Sequence, residues 1–186
     1  GDGLPGLIVD VYHDVLVLQI STTDMARCKE MLFSLLIQTF SPRAIFEKST
    51  SSLRKREGLL EQKGLLYGSA DPEVAIVENG LHFSVHLLEG QKTGLFLDQR
   101  EMRAQIRKCS SGKRVLNCFS YTAGFSLAPL AGGAIQVHSV DLSAKRGPAI
   151  ENNLKLNNLP LENHRFFAQD AIHFVIEEPL ISEFII

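Results

Sequence analysis

From Asp98 to Ile186 the chain alternates helix-like and strand-like segments, and no other feature constrains its fold as strongly. Asp98–Lys108 reads as a helix closed by Ser110-Ser111-Gly112. Val115–Phe119 reads as a strand, Gly124–Ala131 as a short helix, and Ile135–Asp141 as a second strand. Ser143–Asn157 follows as a helix, Arg165–Ala168 as a strand, Asp170–Glu177 as a helix, and Ser182–Ile186 as the start of another strand. Strands separated by helices at this spacing form a parallel sheet covered on both faces. The first half follows other rules. Leu7–Tyr12 and Val15–Ile20 flank His13-Asp14 as a two-residue hairpin. Thr23 or Asp24 is expected to cap one helix running to about Thr39, with Met25, Cys28, Met31, Leu32, Leu35 and Leu36 on its apolar face, and Pro42 stops it. A short strand, Ala44–Glu47, leads into a polar segment, Ser49–Lys63. Val74–Glu78 and Leu81–Val85 flank Asn79-Gly80, whose residues tolerate the positive φ angles of a type I′ turn. The fold class is therefore α/β: an α+β domain over residues 1–88, then a mostly parallel, doubly wound domain over 89–186, with the boundary between Val85 and Glu89.

Charge and composition narrow the function classes. A formal net charge of -2 gives no global attraction to nucleic acid, so RNA contact would need local basic patches. Cys28, Cys109 and Cys118 have no CxxC spacing, which argues against a disulfide framework and a zinc site, and fits a cytoplasmic protein. The histidines His82, His86, His138, His164 and His173 show no metal-ligand spacing. No apolar run approaches the roughly 20 residues that span a bilayer. The chain opens on Gly1 and closes inside the apolar run Glu183–Ile186, so it reads as an internal fragment, its second domain truncated at the C-terminus.

The chemistry lies at three strand ends. Ligands of an open parallel sheet bind beyond the carboxyl ends of its strands. After Val115–Phe119 comes a small, hydroxyl-rich turn, Ser120-Tyr121-Thr122-Ala123-Gly124, which lets a ligand approach backbone. The next strand ends on Asp141, about 20 residues on, placed to accept bonds from two ribose hydroxyls; its other reading is a charge that complements a helix dipole. The third strand leads to Gln169-Asp170-Ala171, where a carboxylate can meet an adenine amino group. Together these ends indicate a nucleoside-containing cofactor, and a dinucleotide would serve as well. The turn lacks G-x-G-x-x-G and any charged pyrophosphate cradle, which favours S-adenosylmethionine (SAM).

The motifs Gly1–Asp10 (GDGLPGLIVD), Arg54–Leu59 (RKREGL), Glu89–Arg100 (EGQKTGLFLDQR), Asn117–Thr122 (NCFSYT) and Ser139–Ser143 (SVDLS) resemble those of the bacterial 23S ribosomal RNA cytosine-C5 methyltransferases, along essentially the whole chain. The resemblance implies a Rossmann-like class I methyltransferase domain in the second half and an α+β middle domain in the first, with a PUA RNA-binding domain preceding Gly1. It implies SAM as cofactor and ribosomal RNA as partner. The cofactor residues it implies are Asn117, Phe119, Ser120, Tyr121, Thr122, Gly124, Asp141, Leu142, Ser143, Asp170 and Ala171, with Phe96, Asp98 and Arg100 before them. The family's Asp-Pro-Pro and its cysteine nucleophile would lie beyond Ile186, so no catalytic residue is assigned here, and this chain alone is expected to transfer no methyl group.

The sequence departs from the family at Ala123, where a second glycine is usual, at Pro129 inside a helix, and at Gly147-Pro148, so that a regular helix would start at Pro148 as its first residue. Arg54, Lys55 and Arg56, with Lys48 and Lys63, are candidates for phosphate contact or for a solvated loop. Arg103 and Arg107 share a helical face with Arg100 and are read as solvated. Cys118 is read as a small buried hydrophobe and Phe166-Phe167 as strand core. The rivals are methylation of another RNA base, a non-catalytic RNA-binding fragment, and, more distantly, a nicotinamide oxidoreductase.

Overall fold

Val15–Ile20 (β2) is almost wholly buried because it lies between two strands rather than at an edge. The computed structural model describes residues 3–89, 93–177 and 183–186; the expected residues Gly1, Asp2, Gly90, Gln91, Lys92 and Ser182 fall outside these. The chain divides into two compact units, Gly1–Ile76 with Val85–Gly94, and Val77–Ser84 with Leu95–Ile186.

In the first unit Leu7–Tyr12 (β1) pairs antiparallel with β2 around the two-residue turn, where His13 takes φ +57°. β2 pairs parallel with Ala44–Ser49 (β3), which pairs antiparallel with Gln62–Gly68 (β4). β4 was not expected, since five of its seven residues are exposed, it lies at an edge, and its apolar run is only Leu65-Leu66-Tyr67 between two glycines. The single expected helix is two, Thr23–Arg27 (α1) and Lys29–Phe40 (α2), separated at Cys28. Neither Thr23 nor Asp24 caps it; Thr22 holds the N-cap position without a side-chain bond. The break rotates the apolar face: Met25, Ala26, Phe33, Leu36 and Ile37 pack on Leu16, Leu18, Ile20 and Ile45, whereas Met31 and Leu35 are exposed. Beyond the break, Lys29 Nζ reaches buried Glu47 at 2.6 Å and Gln62 at 2.8 Å.

The segment Ser49–Lys63 is not a loop. Ser51 caps a short helix, Ser52–Arg56 (α3), by accepting from the Arg54 amide. Arg54 is buried and donates to the carbonyls of Leu60 (2.6 Å) and Ile20 (2.8 Å), so it ties α3 to β2 and is withdrawn from phosphate contact. Lys48 is buried in β3 as well. Lys55 is exposed and paired with Glu61; Arg56 and Lys63 are exposed. Thr93 donates to Asp10, and a side chain at Gly94 (φ +131°) would meet the Tyr12 hydroxyl at 2.9 Å, which joins two of the sequence motifs within this unit.

The hairpin of Glu73–Glu78 (β5) and Leu81–His86 (β6) has Asn79 at φ +51° and Gly80 at φ +77°, as the type I′ turn requires. The second unit is built on a parallel sheet of order β10-β7-β8-β9. Its strands are Arg114–Cys118 (β7), Gln136–Asp141 (β8), His164–Ala168 (β9) and Phe184–Ile185 (β10). The helices are Arg100–Cys109 (α4), Gly124–Ala131 (α5), Arg146–Leu156 (α6) and Ala171–Glu177 (α7). This is the Rossmann-like α/β arrangement. Leu116, Val140, Ala171 and Phe174 form a core cluster against which Cys118 and Phe167 pack. Asn153 and Asn157 of α6 exchange side-chain bonds with the backbone of Ser84 and His82, which secures the hairpin's turn end to this unit. Pro148 is the third residue of α6, not its first; in an opening turn its missing N–H has no helical acceptor to lose. Gly147 gives room to Phe166, whose ring would stand 3.0 Å from an added Cβ.

Candidate functional site

The β7–α5 turn holds three non-glycine residues in left-handed backbone: Phe119 (φ +57°), Tyr121 (+46°) and Ala123 (+71°). Each such residue costs about 1 kcal/mol or more, and a cluster of them persists only where surrounding bonds over-determine it. Those bonds are present. The Ser120 amide donates to Val140 O at 3.0 Å, Tyr121 to Asp141 Oδ2 at 3.1 Å, and Ala123 to Ser120 O at 3.0 Å. Asp141 Oδ1 accepts from the Ser143 amide at 3.0 Å, so one carboxylate joins the turns after β7 and β8. A carboxylate has about four acceptor positions, which leaves two for a ligand. Ser143 supplies no side-chain cap to α6, whose N-cap residue is Lys145; its amide instead donates to Asp141.

The other expected residues divide by what they face. Phe119 and Leu142 expose 65% and 72% of their surface beyond β7 and β8, a placement that suits an apolar ring. Tyr121 is buried edge-to-face on Phe96, with 5.6 Å between ring centroids; Thr122 is half-buried. Asp170 accepts from the His173 amide at 2.9 Å and so caps α7, while the Ala171 methyl packs in the core. Gly124 is buried against Arg103, whose Cδ would lie 3.0 Å from an added Cβ. Asp98 is exposed and accepts from Gln99; Arg100 is exposed and pairs with Glu101 at 3.2 Å.

Asn117 turns inward. Its amide donates to Ser126 Oγ at 2.8 Å, Ser126 Oγ meets Ser139 Oγ at 2.6 Å, and Ser139 Oγ meets His164 Nε2 at 2.8 Å. Burial, with His138 adding repulsion, pushes His164 down to about 4, so its ring is neutral at pH 7.

Sequence reasoning missed the roles of three arginines. Arg103 is buried, with Nε on Glu78 Oε1 at 2.7 Å and Nη2 on Glu78 Oε2 at 2.6 Å; it is not solvated, because the β5–β6 hairpin brings Glu78 to it. Arg107 likewise donates to Asn79 O at 2.9 Å. Arg146, at the start of α6, lies over the Tyr121 ring at 4.6 Å. Its position five residues past Asp141 was the available signal. Two buried polar atoms here have no protein partner, Ser120 Oγ and Arg146 Nε, as expected where a bound group completes the set.

Burial pushes the Cys118 thiol pKa up, the wrong direction for a nucleophile. Among the described residues no group of His, Cys, Asp and Glu is placed to hold a metal ion, and no helix is long and apolar enough to cross a membrane. A groove of about 790 Å³ in the first unit, between Leu4 and Phe40, carries no ionisable side chain and hence no chemistry.

Ala123 is wholly buried, so its methyl does not narrow the approach to the turn. Ala123→Gly relieves about 1 kcal/mol of left-handed strain but removes a methyl whose burial contributes about 0.8 kcal/mol. The melting temperature should stay within about 2 °C, with unchanged S-adenosylhomocysteine (SAH) affinity by calorimetry. A gain several times larger would show strain that the buried methyl does not offset.

A parallel sheet with an acidic second strand end and a clamped turn after the first defines a nucleoside-cofactor fold, and the chain's relatives narrow it. Residues 61–175 match the family described as S-adenosylmethionine-dependent methyltransferase, and the chain belongs to that family. It is 41% identical over 177 residues to the ribosomal RNA large subunit methyltransferase I of Aeromonas salmonicida and 40% identical over 184 residues to that of Photobacterium profundum. These matches cover 95% and 98% of the chain but 45% and 46% of the relatives' length. Among solved structures, a Streptococcus mutans chain assigned as a SAM-dependent methyltransferase superposes with a TM-score of 0.86 at 29% identity, over 99% of this chain and 48% of its own. A chain assigned as a methyltransferase and complexed with SAH gives 0.85 at 29%, over the same shares.

Proposed function

We propose that this chain forms the cofactor-binding part of an enzyme that methylates C5 of a cytosine in the RNA of the large ribosomal subunit. The observation that carries the reading is the turn 119–123, strained at three residues and clamped by Asp141 at the ends of β7 and β8. The names of the relatives supply the acceptor class, ribosomal RNA. SAM, when bound, supplies the methyl group. Asp141 would take its ribose hydroxyls on the two free acceptor positions, Phe119 and Leu142 would flank its base, and Asp170 would meet the adenine amino group. Ser120 Oγ and Arg146 Nε are the unpartnered atoms it would satisfy. Methylation at C5 needs a thiolate to add to C6 first, and half-buried Cys118 does not provide one. The thiolate belongs to the longer enzyme, of which residues 1–88 would form the RNA-contacting α+β domain, with exposed Arg56 and Lys63 as its cationic contacts.

The test is deletion of the gene in its own host, followed by mass spectrometry of nucleosides from large-subunit RNA. Loss of one 5-methylcytidine is expected. Loss of a different methylated nucleoside would replace cytosine C5 as the acceptor, and an unchanged set would remove ribosomal RNA as the substrate.

A further inference from the structure

Asn117 and Ser139 are register partners on β7 and β8, and each lies two residues before a residue of the proposed cofactor site, Phe119 and Asp141. Ser126, in the first turn of α5, bridges them from above the sheet, and His164 at the start of β9 closes the series. Asn117 is 2% exposed, and Ser126 and Ser139 are 0% exposed. Four elements therefore contribute one polar side chain each to a chain of bonds directly beneath the strained turn. An amide nitrogen can only donate. Read from Asn117, each hydroxyl accepts one bond and donates the next, and the series ends on an unprotonated His164 Nε2, which matches a neutral ring. A hydrophobic core would fill the same space without the cost of burying four polar groups. What the chain adds is direction: it fixes the start of α5 against β7 and β8. The Ser126 amide also holds Ala123 O at 2.8 Å, so the distal end of the strained turn is set by the residue that the chain anchors.

We infer that Ser126, Ser139 and His164 are positioning residues for the cofactor, holding the 119–123 turn in its binding geometry through this buried chain; the inference rests on the cofactor reading above. SAH titration calorimetry, with thermal melting in parallel, tests it on the protein and three variants. Ser139→Ala removes the central hydroxyl, and His164→Phe removes the terminal acceptor while keeping a ring. Both should weaken SAH binding by about tenfold, the effect of one lost buried bond. His164→Gln, whose amide oxygen can accept from Ser139, should restore binding to within about threefold. If Ser139→Ala does not fold, the two His164 variants carry the test, since that residue is only half-buried. Variants that melt lower yet bind SAH as the parent does would overturn the inference and reduce the chain to core packing. A parent protein that binds no SAH would instead overturn the cofactor reading itself.

Discussion

Arg103→Met is expected to cost about 3–5 kcal/mol of stability, the loss that follows when one partner leaves a buried ion pair. Side-chain exposure is 3% for Arg103 and 7% for Glu78, so water does not screen what remains. The pair is bidentate, and Arg103 also donates to Phe96 O at 2.9 Å. Removing the guanidinium leaves the Glu78 carboxylate buried without a counter-charge and Phe96 without its donor, while the Phe125 ring loses the cation near its face. Urea unfolding should show the midpoint falling steeply. Glu78→Leu together with Arg103→Met should recover most of the loss, because apolar replacement of a buried pair is often neutral or stabilising. A single-variant loss below about 1 kcal/mol would mean that the pair behaves as a solvated surface contact.

Asp141→Ala is expected to weaken SAH binding at least tenfold, and it now carries a structural cost as well. The carboxylate accepts from the amides of Tyr121 and Ser143 before any ligand arrives. Each half-buried amide left unpaired costs about 1–3 kcal/mol, so the strained turn loses one of the bonds that hold it. Asp141→Asn keeps one acceptor oxygen and should fall between alanine and the parent in both melting temperature and affinity. Unchanged SAH affinity with a lowered melting temperature would make Asp141 a clamp between two turns and nothing more.

The contrast between these two residues shows what a sequence carries. The place of Asp141 was legible, because spacing alone puts a carboxylate at the second strand end, about 20 residues past the first turn. What could not be read was that it already accepts two backbone amides, since Tyr121 meets it only once the turn takes left-handed angles at three residues. Arg103 was misread because helical spacing places it on a face shared with Arg100 and Arg107, and nothing local says that Glu78 is brought to that face. Both hairpins and the parallel sheet were legible, being set by two-residue turns and by the spacing of apolar runs. The break at Cys28 was not, because neither proline nor glycine marks it, and the edge strand Gln62–Gly68 carries too little apolar surface to announce itself. Pro148 looked like a helix start and is the third residue of one, a difference of two positions within the turn that tolerates proline.

Calorimetric titration of the chain with SAH, and separately with NAD, bears most directly on the claim that the strand ends at Phe119–Gly124, Asp141–Ser143 and Asp170 form a SAM site. One SAH should bind per chain, with NAD neither binding nor displacing it. Folded protein that takes up no SAH, or that binds NAD in competition with it, would contradict the assignment.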